Sequence, residues 1–227
     1  MTLYQRSAGG IVSNSAMDSA QNLTILHAGA VSFGYPGHAL FINFSANITR
    51  GITLVRGGDG RGKSTLLRLL AGTLPAQSGR LQIHGIDMQA QPARYQAQVF
   101  WAEPRSDAFD QLSVPDYFES QRCRHAGFDE VVLTDVVAGL GLSEHLHKQL
   151  FMLSTGSKRK VFMAAAFASG AAVTLIDEPF AAVDASSIAY ILEGLRKPQH
   201  SKNRAWVVAD YTPPAGLQLA QVIELGD

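Results

Sequence analysis

The sequence predicts an α/β fold: a mostly parallel sheet covered on both faces by helices, with N-terminal antiparallel strands and a helical insertion. Three observations carry that reading. Short apolar runs of strand character recur at residues 52–55, 98–101, 172–176, 205–209 and 221–225, with helical patterns between most of them, the alternation that builds a buried parallel sheet. A glycine-rich run follows the first of these strands directly and opens a helix. Between about residues 104 and 150 the strand signals stop and helical ones take over.

Taken in order, residues 1–22 are small and polar with Arg6 as their single base, so they read as a flexible tail, with Met17 as an alternative start. They contain no apolar run of the kind a secretory signal needs. The domain is placed at residues 23–227. In Leu40, Ile42, Phe44, Ala46 and Ile48 every second residue is apolar, which predicts a strand with one buried face. The stretch Ala30–Phe33 pairs with it across a turn at Tyr35-Pro36-Gly37. Ile52–Val55 is a buried strand, and Ser64–Ala71 a helix closed by Gly72 and Pro75. Leu81–His84 and Gln98–Trp101 are further strands. In the insertion, Pro115–Arg124 behind a Ser113 cap and Phe128–Val137 are expected helices.

Composition narrows the function classes. The 227 residues carry 19 Lys+Arg against 19 Asp+Glu, and 46% are apolar. A neutral balance argues against a strongly basic nucleic-acid binder and against a self-repelling disordered chain. One cysteine cannot form an internal disulfide, so a reducing, cytoplasmic setting is expected. The uncharged, mostly apolar stretch Val161–Ile176, 16 residues, is shorter than the roughly 20 a membrane helix needs. Ser169-Gly170 divides it into a helix end and a strand.

The chemistry starts at Gly57-Gly58-Asp59-Gly60-Arg61-Gly62-Lys63-Ser64, followed by Thr65. It fits G-x-x-x-x-G-K-[ST] in the strand–loop–helix setting of a P-loop NTPase core. Glycines let successive N–H groups turn towards phosphate oxygens, and the helix N-terminus adds its positive end. Lys63 is placed on the β/γ-phosphates and the Ser64 hydroxyl on Mg²⁺. The apolar strand Val173–Ile176 then delivers Asp177 and Glu178 at its carboxyl end, the rim where open α/β sheets hold ligands. Asp177 suits the metal shell, and Glu178 suits polarising an attacking water. Adjacent strand residues point to opposite faces, so both acids serve one site only if the chain bends before Pro179.

These motifs, with Leu153-Ser154-Thr155-Gly156-Ser157 just upstream of the acidic strand, resemble the ATP-binding-cassette (ABC) ATPases from about Leu23 to Asp227. The resemblance implies ATP and Mg²⁺ as ligands and Tyr35 as the aromatic that stacks on adenine. Ser154 and Gly156 would touch the γ-phosphate of an ATP held by a second cassette, and Ala181–Asp184 would form the loop joining the two. The implied machine is a head-to-tail dimer, peripheral on the cytoplasmic membrane face. It would work with integral membrane permease subunits and resembles compact exporter-type cassettes. An ATP-gated clamp, or a soluble ABC ATPase acting on a protein assembly, is the alternative.

Two departures stand out. Where the family carries a glutamine after the strand at 98–101, this chain has Ala102 or Glu103. Where it carries a histidine after its last core strand, this chain has Asp210. A carboxylate about 4 Å from a phosphate charge is repelled by up to about 4 kcal/mol at an effective dielectric of 20. With Glu178 retained, slow or partner-dependent turnover is expected. Lys158-Arg159-Lys160 reads as a solvated helix face rather than a nucleic-acid contact. Cys123, His125, His145 and His147 lack the spacing of a metal set.

Overall fold

The computed structural model describes residues 24–102, 106–197 and 203–226, so the expected tail with Met17, and Glu103, lie outside the described residues. In chain order the strands are β1 Thr24–Tyr35, β2 His38–Thr49, β3 Gly51–Arg56, β4 Ser78–Ile83, β5 Ile86–Asp87, β6 Val99–Ala102, β7 Val173–Asp177, β8 Ala205–Asp210 and β9 Gln221–Glu224. The helices are α1 Lys63–Leu70, α2 Pro92–Gln96, α3 Val114–Arg124, α4 Glu130–Gly139, α5 Thr155–Ala168 and α6 Ala185–Arg196. Single 3₁₀ turns at Ser143–His145 and Leu150–Met152 join α4 to α5.

β1 and β2 form the expected antiparallel hairpin, with Tyr35 opposite His38 across Pro36-Gly37. The simple alternation expected for β2 does not hold: Phe41 is buried and Ile42 is 76% exposed. The cause is a pair of compensating bulges. Ala30 adds a residue to β1 between Ala28 and Val31, and Asn43 adds one to β2 between Phe41 and Phe44. Both bulged residues take positive φ, 50° and 52°. Each bulge turns an N–H out of the ladder, and a serine across the hairpin accepts it: Ala30 N–H to Ser45 Oγ (2.9 Å), Asn43 N–H to Ser32 Oγ (3.0 Å). One extra residue moves every side chain beyond it to the other face. Phe41 therefore turns inward on one side of Asn43, and the Phe44, Ala46, Ile48 set on the other.

The antiparallel sheet runs β2-β1-β4-β5 and the second sheet β6-β7-β8-β3-β9. Every pairing in the second is parallel. Strand alternation assigns its faces. Val55, Leu175 and Val207 point towards α1 and the antiparallel sheet, where Leu66, Leu67 and Ile83 meet them. Ile52, Phe100, Trp206 and Val208 point the other way, onto the insertion helices and onto Val161, Phe162 and Ile191. Burial of both faces explains why the parallel strands read as unbroken apolar runs.

Helix ends follow the sequence signals. Ser113, Asp129, Ser154 and Asp184 cap α3 to α6, each accepting from a backbone N–H of the first turn, as short oxygen-bearing side chains do. α5 is buried along its whole second half, Val161 to Ala168, and ends at Ser169-Gly170 as expected. Its last turn is closed by Arg204. This guanidinium, 9% exposed, donates to the carbonyls of Ala166, Phe167 and Ala171 and to Ser169 Oγ and Thr174 Oγ1, at 2.8–3.1 Å. Its centre lies 4.9 Å from the Trp206 ring. A cation at a helix C-terminus opposes the helix dipole, while burial holds its pKa down to about 10.

His125, at the end of α3, is equally buried. Its Nδ1 faces the Ala97 carbonyl at 3.4 Å, and its ring centroid lies 5.8 Å from that of Phe100. Burial first, and the Arg124 charge second, push its pKa down to about 4.

Two outcomes follow for folding stability. Arg204→Ala strands three buried carbonyls and is expected to destabilise by about 3 kcal/mol, lowering Tm by roughly 6–12 °C in calorimetry. An unchanged Tm would remove Arg204 from this role. His125 is neutral when folded but takes up a proton near pH 6.5 when unfolded. The unfolded state therefore binds more protons between pH 6.5 and about 4, and stability falls as pH drops through that window. Urea titrations of His125→Phe against wild type should show a difference in pH dependence there, up to about 3 kcal/mol.

Candidate active site

Three adjacent parallel strands, β3, β8 and β7, end at one rim, with Arg56 opposite Asp210 and Asp177 opposite Ala209. Residues 57–62 leave β3 and enter α1. Gly62 is the N-cap of α1 at φ 90°, with no side chain capping the helix. A Cβ there would lie 2.8 Å from Leu40 Cδ2, so glycine meets both the backbone angle and the space. The uncapped first-turn N–H groups leave an anion-binding helix end. Lys63, 7% exposed, donates from Nζ to the carbonyls of Gly57 (2.7 Å) and Gly58 (3.0 Å).

The metal-type pair meets across the sheet. Ser64 Oγ donates to Asp177 Oδ2 at 2.5 Å, although 113 residues separate them in sequence. A hydroxyl and a carboxylate converging beside a phosphate loop are hard oxygen donors of the kind Mg²⁺ takes, and it keeps waters and substrate oxygens for the rest of its shell. The residues present therefore fit a Mg²⁺–nucleotide.

Glu178 sits at φ 47°, and its N–H donates to the Ala209 carbonyl at 2.9 Å. This is the bend before Pro179 that the two adjacent acids required. Such an angle in a non-glycine residue is strained and persists only when the surroundings hold it. Arg159 NH2 lies 3.9 Å from Glu178 Oε2. Asp210, half-buried at the end of β8, has its pKa raised by burial and by the Glu178 charge, against the pull of Lys63. Its Oδ1 accepts from Tyr211 N–H at 2.7 Å.

The other expected positions fall at the borders. Tyr35, at the hairpin tip, is 47% exposed, and its hydroxyl lies 3.3 Å from Thr65 Oγ1, beside the phosphate loop. Ser154 caps α5 and also donates from Oγ to Ser157 Oγ at 3.0 Å. Gly156 is buried, and a Cβ there would lie 2.1 Å from the Ala182 carbonyl oxygen, so close packing inside this chain already demands a glycine. Ala102, 8% exposed, ends β6 with only a methyl group.

Lys158-Arg159-Lys160 is not the solvated face expected from sequence. Lys158 pairs with Asp110, and its Nζ also donates to the Ser106 carbonyl at 3.1 Å. Arg159 donates to the Ala181 carbonyl (2.8 Å), and Lys160 pairs with Asp184 (3.2 Å). The three side chains are only 12–15% exposed. Sequence reasoning also passed over Tyr211, whose ring centroid lies 4.2 Å from Lys63 Nζ. Its hydroxyl bonds to Asp59, which raises its pKa. The available signal was its place directly after β8, at the rim.

Residues 42–181 match the ABC transporter family profile. The chain is 31% identical over 150 residues to ATP-binding cassette sub-family A member 17 of Rattus norvegicus, a match covering 64% of this chain and 8% of that protein. It is 29% identical over 174 residues to the cytochrome c biogenesis ATP-binding export protein CcmA of Idiomarina loihiensis, covering 76% and 79% of the two chains. In fold it is similar to a structure described as the ATP binding subunit of an ABC transporter, with a TM-score of 0.74, 22% identity, and 83% and 80% of the two chains covered. No helix among the described residues is long and apolar enough to cross a membrane. With the profile spanning more than half of its length, and the phosphate loop and acidic strand meeting at one rim through Ser64 and Asp177, the chain belongs to the ABC transporter family.

Proposed function

We propose that this chain is the ATP-hydrolysing subunit of an ABC transporter. It pairs head-to-tail with a second cassette on ATP and couples hydrolysis to a separate membrane permease at the cytoplasmic face. The observation that carries the reading is the meeting of Ser64 and Asp177 at 2.5 Å, with Glu178 turned into the same rim by its left-handed backbone.

In this reading Gly57 to Thr65 cradles the phosphates, Lys63 stands on the β/γ side, and Tyr35 covers the base at the hairpin tip. Ser154 and Gly156 serve the ATP of the partner cassette. Ser64 and Asp177 would hold Mg²⁺, which supplies charge neutralisation on the phosphate oxygens when bound. Glu178 orients a water in line with the γ-phosphate and takes its proton. Lys63 neutralises charge that grows on the transferred group. To do so its ammonium must exchange the Gly57 and Gly58 carbonyls for phosphate oxygens.

A second reading, an ATP-gated clamp with little hydrolysis, draws support from Ala102 and Asp210. Neither Ala102 nor Glu103 is the glutamine, nor Asp210 the histidine, that the family keeps at those places, and Asp210 sets a carboxyl beside Glu178 and Lys63. Turnover of about 1 s⁻¹ or faster from the chain alone would fall in the ordinary enzyme range and argue against the clamp.

Two measurements test the site. Glu178→Gln is expected to abolish phosphate release while nucleotide binding persists; turnover equal to wild type would refute the role of Glu178. Asp210→Asn removes a like charge and is expected to tighten ATP binding several-fold at neutral pH, by an amount that repulsion at a few ångströms readily supplies. A raised carboxyl pKa means protonation sets in at higher pH than usual, and the neutral form lacks the repulsion. The wild-type Kd should therefore approach that of Asp210→Asn as pH falls. Parallel Kd–pH profiles for the two proteins would contradict it.

A further inference from the structure

The loop after Glu178 is clamped by one helix. Along the first turns of α5, Gly156 packs its backbone against the Ala182 carbonyl, Arg159 donates to the Ala181 carbonyl at 2.8 Å, and Lys160 pairs with Asp184 at 3.2 Å. Among these contacts, only that of Arg159 also reaches Glu178. Its guanidinium therefore spans the turn in which Ala181 N–H donates to the Glu178 carbonyl (3.2 Å), donating to the Ala181 carbonyl at one end and lying 3.9 Å from the Glu178 carboxylate at the other.

The surroundings of Arg159 point the same way. Its side chain is 12% exposed, and its Nε is buried with no hydrogen-bond partner. It lines a cavity with Ala102, Phe162, Met163, Asp177 and Pro179. Among the described residues, β6 lines it with the apolar Phe100 and Ala102, and the cation reaching this corner comes from α5. A buried guanidinium with part of its donor fork unspent is costly unless a carboxylate or carbonyl draws on it. The strained φ of 47° at Glu178 needs surroundings that hold it in place.

We propose that Arg159 is a positioning residue for hydrolysis: by gripping both ends of the Glu178–Ala181 turn it fixes the carboxylate of Glu178 towards the attacking water. The inference rests on the reading of Glu178 as the group that orients that water. Because Arg159 lies one turn into the helix that Ser154 caps, a second cassette docking on Ser154 and Gly156 would bear on the Glu178 carboxylate through a rigid element. That is a route by which turnover becomes dependent on the partner.

The test is single-turnover ATP hydrolysis by the full chain, with ATP affinity measured separately, for Arg159→Gln, Arg159→Lys, Arg159→Ala and Glu178→Gln. Arg159→Gln is expected to lower the hydrolysis rate roughly ten- to hundredfold, as misplacement of a reacting group does, with ATP Kd within about twofold, since the lost positioning acts in the transition state and not in nucleotide binding. Arg159→Lys should fall between, keeping the charge but not the planar fork. Added guanidinium ion should restore part of the Arg159→Ala rate. A loss that neither Arg159→Lys nor guanidinium recovers would mark a merely structural role and overturn the inference. So would an Arg159→Gln rate equal to wild type beside an inactive Glu178→Gln. Wild-type turnover in Glu178→Gln would instead bring down the reading of Glu178, and this inference with it.

Discussion

The parallel hydrogen bonding of β8 between β3 and β7 is the constraint on which the rest of the site depends. It sets three strand ends side by side, so that residues far apart in sequence leave the sheet at one edge. Ser64 then stands within hydrogen-bond distance of Asp177, and Asp210 emerges between the phosphate loop and the acidic pair. A parallel sheet needs crossover connections, and those crossovers, α1 among them, cover its faces and exclude water. The same pairing that stabilises the core therefore builds the rim.

That rim is crowded with charge. Asp59, Asp177, Glu178 and Asp210 are met by Lys63, Arg159 and the positive end of α1. Burial first, with the Glu178 charge adding to it, raises the Asp210 pKa there. Lys63 and Tyr211 lie against each other at 4.2 Å, so the side chain following Asp210 also shapes access to the phosphate loop. Backbone strain falls at the same place: Glu178 and Ala182 both take positive φ within a few residues, and α5 grips the segment between them. Strain at a site, held in place by packing, is characteristic of functional loops.

Away from the rim the molecule relies on ordinary devices, used where the chain would otherwise leave polar groups unsatisfied. The hairpin bulges at Ala30 and Asn43 hand their N–H groups to serines. The end of α5, buried between sheet and helices, hands its carbonyls to Arg204. The second follows from the rule that a buried backbone group must find a partner. In the second case the partner comes from the start of β8, which links the order of the helical layer to the strand at the centre of the sheet.

The sequence by itself determined the elements and the chemistry-bearing motifs. Apolar runs located the five parallel strands, Ser113 and the Ser169-Gly170 break located helix ends, and G-x-x-x-x-G-K-S with the Asp-Glu pair located the rim. These signals are local: periodicity, capping and glycine angles depend on neighbours within a few residues. Tertiary structure decided what local pattern cannot encode. Alternation placed Ile42 in the core, but two bulges set by cross-strand pairing put it in solvent. Composition made Lys158-Arg159-Lys160 a wet surface, but Asp110, Ala181, Asp184 and Glu178, all distant along the chain or across a loop, turned it into a paired and largely buried clamp. Gly156 read as a residue waiting for a partner's phosphate, and the fold also presses it onto the Ala182 carbonyl. In each case the deciding partner lies on another element, and its distance is a property of packing, which no window of sequence contains.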